Sequence, residues 1–105
     1  MKINADILKQ LIKEDLNLDV ILEYKFHPVR RWKNDLFISS LGIAIELEGG
    51  VYSQGRHTRG SGFLGDIEKY NALTLQGFKL LRYAHVKHTY NDIIEDLKSY
   101  IENTK

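Results

Sequence analysis

The amino-acid sequence predicts one α+β domain with three helices and four strands, in the order α-β-β-β-α-β-α. Three observations predict this class: apolar stripes at helical spacing, alternating apolar and polar residues in the middle of the chain, and Gly or Ser turns between them. A chain of 105 residues that is 43% hydrophobic has room for one core. We therefore expect a single domain over residues 1–105.

Caps and apolar spacing predict the helices. A first helix is expected over residues 4–13, and a second over 63–76 with a stop at Gly77. A third begins after Thr89, and Asp92 stands three residues later, which is the spacing of a capping box. On the second helix, one row consists of Phe63, Ile67, Tyr70 and Thr74, and it is widened by Leu64, Leu73 and Leu75.

Four strands are predicted, over residues 21–27, 31–39, 43–48 and 79–85. Alternation in the first strand places Leu22, Tyr24 and Phe26 on one face. A short turn at residues 39–42 favours an antiparallel hairpin between the second and third strands. Residues 51–61 are expected to form a loop whose glycines allow close approach to a ligand.

Composition excludes several kinds of protein. The chain has no cysteine, which excludes disulfides and thiolate metal sites. Charged residues interrupt residues 1–20, so this segment predicts neither a signal peptide nor a spanning helix, and no later apolar run is long enough to cross a bilayer. We expect a cytoplasmic protein without membrane contact.

Charge is unevenly distributed along the chain, although the net charge is only +1. The stretch 25–59 contains six basic residues: Lys25, Arg30, Arg31, Lys33, Arg56 and Arg59. It contains three acids, Asp35, Glu46 and Glu48. If these acids hold a divalent cation, the region becomes strongly positive, which suits a polyanionic partner.

The three acids form the candidate centre. Glu46 and Glu48 are two apart in the third strand, so both leave the same face. Asp35 lies on the neighbouring strand, where a cross-strand partner would be about 5 Å away. Carboxylates this close repel one another without a cation, and oxygen ligands favour Mg²⁺ or Mn²⁺. The alternative is that the acids face solvent on a half-exposed sheet.

Several motifs of the sequence together resemble the PD-(D/E)xK nuclease superfamily. The closer similarity is to small phage and bacterial members related to the very-short-patch repair endonucleases. The motifs are HPVRRWKND at residues 27–35, IELEGG at 45–50, RHTRGSGF at 56–63, DIEKYN at 66–71 and GFKLLR at 77–82. The resemblance covers residues 22–84 and implies a restriction-endonuclease-like αβββαβ core. That core has a mixed four-stranded sheet flanked by helices, here with an added C-terminal helix.

The resemblance implies that Asp35 and Glu46 bind the metal and that the residue at position 48 completes the catalytic site. The usual lysine of the superfamily is replaced there by Glu48, which we interpret as a third metal ligand. Lys69, on the following helix, is the predicted substitute for that lysine; the alternative is an ordinary exposed helix lysine. The proline that usually precedes the first acid is replaced by Asn34.

Five basic residues are predicted to contact a nucleic-acid backbone: Arg30, Arg31, Arg56, His57 and Arg59. Guanidinium groups match phosphate oxygens with paired hydrogen bonds. The imidazole of His57 is expected to bind a phosphate or a catalytic water. Glu23 is either a further ligand or a solvated strand residue, and His85 and His88 are interpreted as surface histidines.

The sequence therefore predicts a DNA endonuclease that depends on Mg²⁺ or Mn²⁺ and needs no small-molecule cofactor. A homodimer would explain cleavage of both strands by so short a chain. Two alternatives remain. One is a nucleic-acid-binding module of the same fold without turnover, suggested by Glu48 in place of lysine. The other is a protein-interaction domain that uses the acidic C-terminal helix.

Overall fold

The computed structural model describes residues 2–49 and 60–104, with the backbone alone at 60–63. These residues form seven elements: α1 (Ala5–Leu16), β1 (Ile21–Lys25), β2 (Lys33–Ile38), β3 (Ile43–Glu48), α2 (Gly60–Leu75), β4 (Lys79–Ala84) and α3 (Tyr90–Asn103). The predicted α+β class and the order of elements are confirmed. None of the described helices is both long enough and apolar enough to cross a bilayer.

The four strands form one open, mixed sheet in the order β1-β2-β3-β4. β2 pairs antiparallel with both β1 and β3, whereas β3 and β4 are parallel. A tight turn joins β2 to β3, but parallel strands need a long crossover, which here includes α2. The predicted hairpin and mixed sheet are confirmed.

The sheet separates two apolar cores. The first core joins α1 and α3 to one face and consists of Ile3, Leu8, Ile12, Val20, Leu36, Ile38, Ile43, Ile45, Tyr83, Ile93, Ile94 and Leu97. The second core joins α2 to the other face and consists of Phe26, Phe37, Ala44 and Leu73. Because side chains alternate along a strand, Asp35 lies on the face of Phe37. Glu46 and Glu48 lie on the face of Ala44. All three acids are therefore on the side of α2.

Local signals fix the ends of the outer helices. Asn4 caps α1 as predicted, but α1 continues to Leu16, beyond the predicted end at residue 13. It stops there because Asn17 takes a left-handed conformation, with φ of 56°, and caps the last turn. The predicted capping box of α3, between Thr89 and Asp92, is confirmed.

The prediction that Leu22, Tyr24 and Phe26 share one face is wrong. Leu22 packs against the first core, whereas Tyr24 and Phe26 belong with the second. Glu23, which lies between Leu22 and Tyr24, has a φ of 49°. This left-handed conformation breaks the alternation of the strand. As a result Tyr24 stacks on Phe37, with ring centroids 4.5 Å apart.

The predicted apolar row of α2 is buried only in part. Leu73 is buried and Tyr70 is half-buried, but four members of the row are exposed: Leu64 (60%), Ile67 (43%), Thr74 and Leu75 (86%). The face that α2 covers carries acids as well as apolar residues, so the helix turns Lys69 inward too. α2 starts at Gly60, before the predicted residue 63. Residues 51–59 of the predicted loop lie outside the described residues.

Asn34 is fully buried, and neither its Oδ1 nor its Nδ2 has a hydrogen-bond partner within the described part of the chain. Strand alternation places it on the face of Leu36, opposite to the side chain of Asp35. Burying an amide without partners costs about 1–3 kcal/mol. We therefore expect Asn34→Leu to raise the free energy of unfolding by about 1 kcal/mol, measured by urea denaturation.

The matched control for this prediction is Asn71→Leu, at an exposed position of α2. That change should alter the free energy of unfolding by less than about 0.5 kcal/mol. If Asn34→Leu destabilised the protein while Asn71→Leu did not, the Asn34 amide would be stabilising and the prediction would be wrong.

Candidate active site

The site is built on the ends of β2 and β3, under α2. The antiparallel register pairs Leu36 with Ile45. Continuing that register by one residue places Asp35 opposite Glu46, and the predicted position of Asp35 on the neighbouring strand is thereby given a specific partner. Glu48 follows on the same face of β3, and Lys69 and Tyr70 face these acids from α2.

Glu46 is the most buried acid of the site, with an exposed fraction of 8%. Its Oε1 accepts a hydrogen bond from the Nζ of Lys69 at 3.2 Å. The two side chains are only 11% and 14% exposed, so water screens this ion pair weakly. The other carboxylate oxygen, Oε2, is buried and has no hydrogen-bond partner among the described residues.

Burial raises the pKa of the Glu46 carboxyl above its usual value of 4.5. The negative charges of Asp35 and Glu48 act in the same direction. Lys69 lowers the pKa through its charge and its hydrogen bond, but burial and the two acids together outweigh it. The ionised carboxylate is therefore stabilised by any additional positive charge placed at Oε2.

Asp35 is fixed to the neighbouring strand by one strong contact. Its Oδ2 accepts a hydrogen bond from the backbone N–H of Leu47 at 2.7 Å. Because the acceptor is charged and the contact is partly buried, this bond holds the carboxylate against β3. The carboxylates of Asp35 and Glu46 are thereby kept on adjacent strands of one rigid hairpin.

Glu48 is turned towards β4, where it forms a two-point ion pair with Arg82. Nε of Arg82 donates to Oε2 of Glu48, and Nη2 donates to Oε1 at 2.8 Å. The guanidinium carbon lies 4.9 Å from the centre of the Tyr70 ring. Burial raises the pKa of Tyr70 to about 12, although the charge of Arg82 opposes that shift.

The residues of this site fit a divalent cation in part. Within residues 2–49 and 60–104, no three His, Cys, Asp or Glu side chains are grouped closely enough to hold a metal ion. Asp35 and Glu46 nevertheless provide carboxylate oxygens on neighbouring strands, and the unpartnered Oε2 of Glu46 is the kind of donor that a hard cation satisfies. Both oxygens of Glu48 already accept hydrogen bonds from Arg82, so a cation at Glu48 has to compete with that guanidinium.

A basic and aromatic surface lies beside the acids, on the connection between β1 and β2. The guanidinium of Arg30 stacks over Trp32 at 4.2 Å, and its Nη2 lies 3.9 Å from Glu68 of α2. Nδ1 of His27 accepts the backbone N–H of Arg30 at 2.9 Å and thereby shapes the connection. Arg31 is exposed. Arg30 therefore lies on the α2 side of the sheet, near the residue that precedes Lys69.

Other predicted residues have different outcomes. The side chain of Glu23 is 76% exposed, and its ion pair with Lys33 is long, at 3.9 Å. Its position therefore favours the interpretation as a solvated strand residue. The interpretation of His85 and His88 as surface histidines is wrong, because both are half-buried and accept backbone N–H groups at Nδ1, from Ile3 and Ala84 respectively. Three predicted nucleic-acid contacts lie outside the described residues: Arg56, His57 and Arg59.

Sequence reasoning missed two residues of the site, Arg82 and Tyr70. Both stand inside motifs that carry the family resemblance, which is the available signal, but Tyr70 is predicted only as part of the apolar row of its helix and Arg82 has no predicted role. Comparisons with protein-family models, with curated proteins and with solved structures return no match for the chain. Membership of the PD-(D/E)xK superfamily therefore stays a prediction.

The raised pKa of Glu46 predicts a pH-dependent stability. The folded state holds the proton of this carboxyl more tightly than the unfolded state, so its stabilising contribution is present below about pH 4.5 and is lost as pH rises through the folded pKa. Glu46→Gln cannot ionise. Its free energy of unfolding should therefore increase relative to the wild type as pH rises through that range, in urea titrations at a series of pH values.

The matched control is Glu14→Gln, which removes the same charge from an exposed position of α1. The difference between that variant and the wild type should vary much less with pH. A constant difference between Glu46→Gln and the wild type at all pH values would contradict the prediction.

Proposed function

We propose that the protein is a metal-dependent DNA endonuclease with a restriction-endonuclease-like fold. One observation carries the proposal: Glu46 is a buried carboxylate, one of whose oxygens has no partner among residues 2–49 and 60–104, and it lies between a second strand-borne acid, Asp35, and a buried cation, Lys69. Most buried polar groups are hydrogen-bonded, so an unpartnered carboxylate oxygen next to a second acid is unusual for a purely structural ion pair. The order of elements and the mixed sheet support the fold that the sequence motifs imply.

The chain would hold Mg²⁺ or Mn²⁺ through Asp35 and Glu46, with Glu48 as the third carboxylate. A bound ion of this kind lowers the pKa of a water molecule and neutralises charge on a phosphate. The residues of the chain supply the rest. Asp35 is oriented by the Leu47 amide, and Lys69 carries a fixed positive charge at the same point, where it stabilises the negative charge that develops during phosphodiester hydrolysis.

The proposed DNA contact is the surface around Arg30 and Arg31. Stacking on Trp32 holds the Arg30 guanidinium in place, which reduces the entropy lost when it binds a phosphate. Arg56, His57 and Arg59 are proposed to contribute from the segment between β3 and α2. A homodimer would present two such sites to the two strands of a duplex.

A second candidate is a DNA-binding module of the same fold without turnover. The Glu48–Arg82 pair favours it, because this pair removes the third carboxylate from the centre. DNA binding without cleavage in Mg²⁺ or Mn²⁺ would distinguish the module from the nuclease.

The proposed function is tested by a cleavage panel. Duplex, single-stranded and four-way-junction DNA are incubated with the protein, with and without Mg²⁺, and with Asp35→Asn as the matched control. We expect the protein to cleave at least one of these substrates, and this cleavage should require both Mg²⁺ and Asp35. Full cleavage by Asp35→Asn, or by the wild type in excess EDTA, would refute the proposal.

A further inference from the structure

Arg82 makes a contact that the parallel pairing of β3 and β4 does not by itself require. The register places Arg82 beside Glu46. Its side chain instead reaches Glu48, two residues further along β3, and both carboxylate oxygens of Glu48 accept from the guanidinium. A carboxylate that accepts one hydrogen bond at each oxygen keeps further lone pairs, but a cation bound there is repelled by the guanidinium that holds the same group.

Among the described residues, each of two acids of the site is paired with a cation. The three acids, Asp35, Glu46 and Glu48, face two cations, Lys69 and Arg82. The Lys69–Glu46 pair is buried, whereas the side chains of Arg82 and Glu48 are 51% and 35% exposed. Solvent screens the exposed pair, so it opens more readily than the buried one.

We propose that Arg82 is the counter-ion that a divalent cation displaces from Glu48. This inference rests on the proposed function. Arg82 neutralises Glu48 in the metal-free protein and limits the fraction of molecules in which this carboxylate is available. The guanidinium already lies 4.9 Å from the centre of the Tyr70 ring at the exposed edge of the site, and once it is released from Glu48 its charge is available to a substrate phosphate. Arg82 is thus a positioning residue.

The test is isothermal titration of the full chain with Mn²⁺ in the absence of DNA. Arg82→Met should bind Mn²⁺ about fivefold more tightly than the wild type, because the competing cation is gone. The matched control is Lys79→Met, which removes a positive charge from the same strand, at an end where Lys79 donates to the carbonyl of Leu41. Its affinity for Mn²⁺ should equal that of the wild type.

A double-mutant cycle separates direct competition from a general change in electrostatic field. In a Glu48→Gln background, Arg82→Met should no longer change the affinity for Mn²⁺. Arg82→Lys keeps the charge but loses the two-point contact, so its affinity should fall between those of the wild type and Arg82→Met. Thermal unfolding establishes that each variant is folded.

Two results would overturn the inference alone: equal Mn²⁺ affinity in Arg82→Met and wild type, or the same increase in affinity in the Glu48→Gln background. A different result would remove the proposed function together with the inference. That result would be that the wild type binds no Mn²⁺, or that it binds Mn²⁺ with an affinity that Glu46→Gln does not weaken.

Discussion

Glu46→Gln is expected to reduce Mg²⁺-dependent DNA cleavage by more than about a hundredfold without weakening DNA binding. Glutamine has almost the same shape as glutamate, and its amide oxygen can still accept the hydrogen bond of Lys69. The variant therefore loses the negative charge and the proposed metal-binding oxygen Oε2, but it keeps the packing of the site. Initial rates on the best substrate of the cleavage panel, with binding measured in Ca²⁺ or EDTA, provide the measurement.

Glu14→Gln is the appropriate control for this activity prediction, because it changes the net charge equally at an exposed position of α1. It should cleave at the rate of the wild type. Cleavage by Glu46→Gln within about threefold of the wild-type rate would show that the buried carboxylate has no part in the chemistry.

Lys69→Met is expected to lower the free energy of unfolding by about 2 kcal/mol at neutral pH and to abolish cleavage. The methionine fills a similar space, but the 11%-exposed carboxylate of Glu46 then has no counter-ion. Because Lys69 lowers the pKa of Glu46, its removal raises that pKa further, and part of the lost stability should return as pH falls. Urea denaturation at several pH values measures both effects.

The double variant Lys69→Met/Glu46→Gln distinguishes loss of a pair from loss of packing. It leaves neither charge buried, so its stability should be within about 1 kcal/mol of the wild type although it remains inactive. A double variant as unstable as Lys69→Met alone would mean that the methionine, and not the orphaned carboxylate, is responsible.

The sequence was most informative where the determining interactions are local. The capping box of α3 and the bounds of β3, from Ile43 to Glu48, follow from residues within one turn or one strand. The position of Asp35 opposite Glu46 also follows from short-range features, because a tight turn fixes the register of the hairpin. These parts of the fold were predicted correctly, whereas for the candidate site the sequence predicted only that Asp35 lies on the strand next to Glu46 and Glu48.

Long-range pairs were harder to predict. Lys69 was selected through a family resemblance, and its contact with Glu46 spans 23 residues of sequence. The Arg82–Glu48 pair spans 34 residues and depends on the parallel register of β3 and β4, which no short motif specifies. The exposed apolar residues of α2 show the same limit, since helical spacing cannot tell which row of a helix will face a partly polar sheet.

The left-handed conformation of Glu23 has a consequence for how molecules meet in solution. β1 is an edge strand, and a regular edge offers a row of N–H and C=O groups to which a strand of another molecule can add. The backbone rotation at Glu23 interrupts this row, and the exposed charges of Glu23 and Lys25 make the edge still less suitable as a template. The edge is thereby protected against intermolecular sheet extension. Any homodimer of this protein is accordingly expected to form through a different surface.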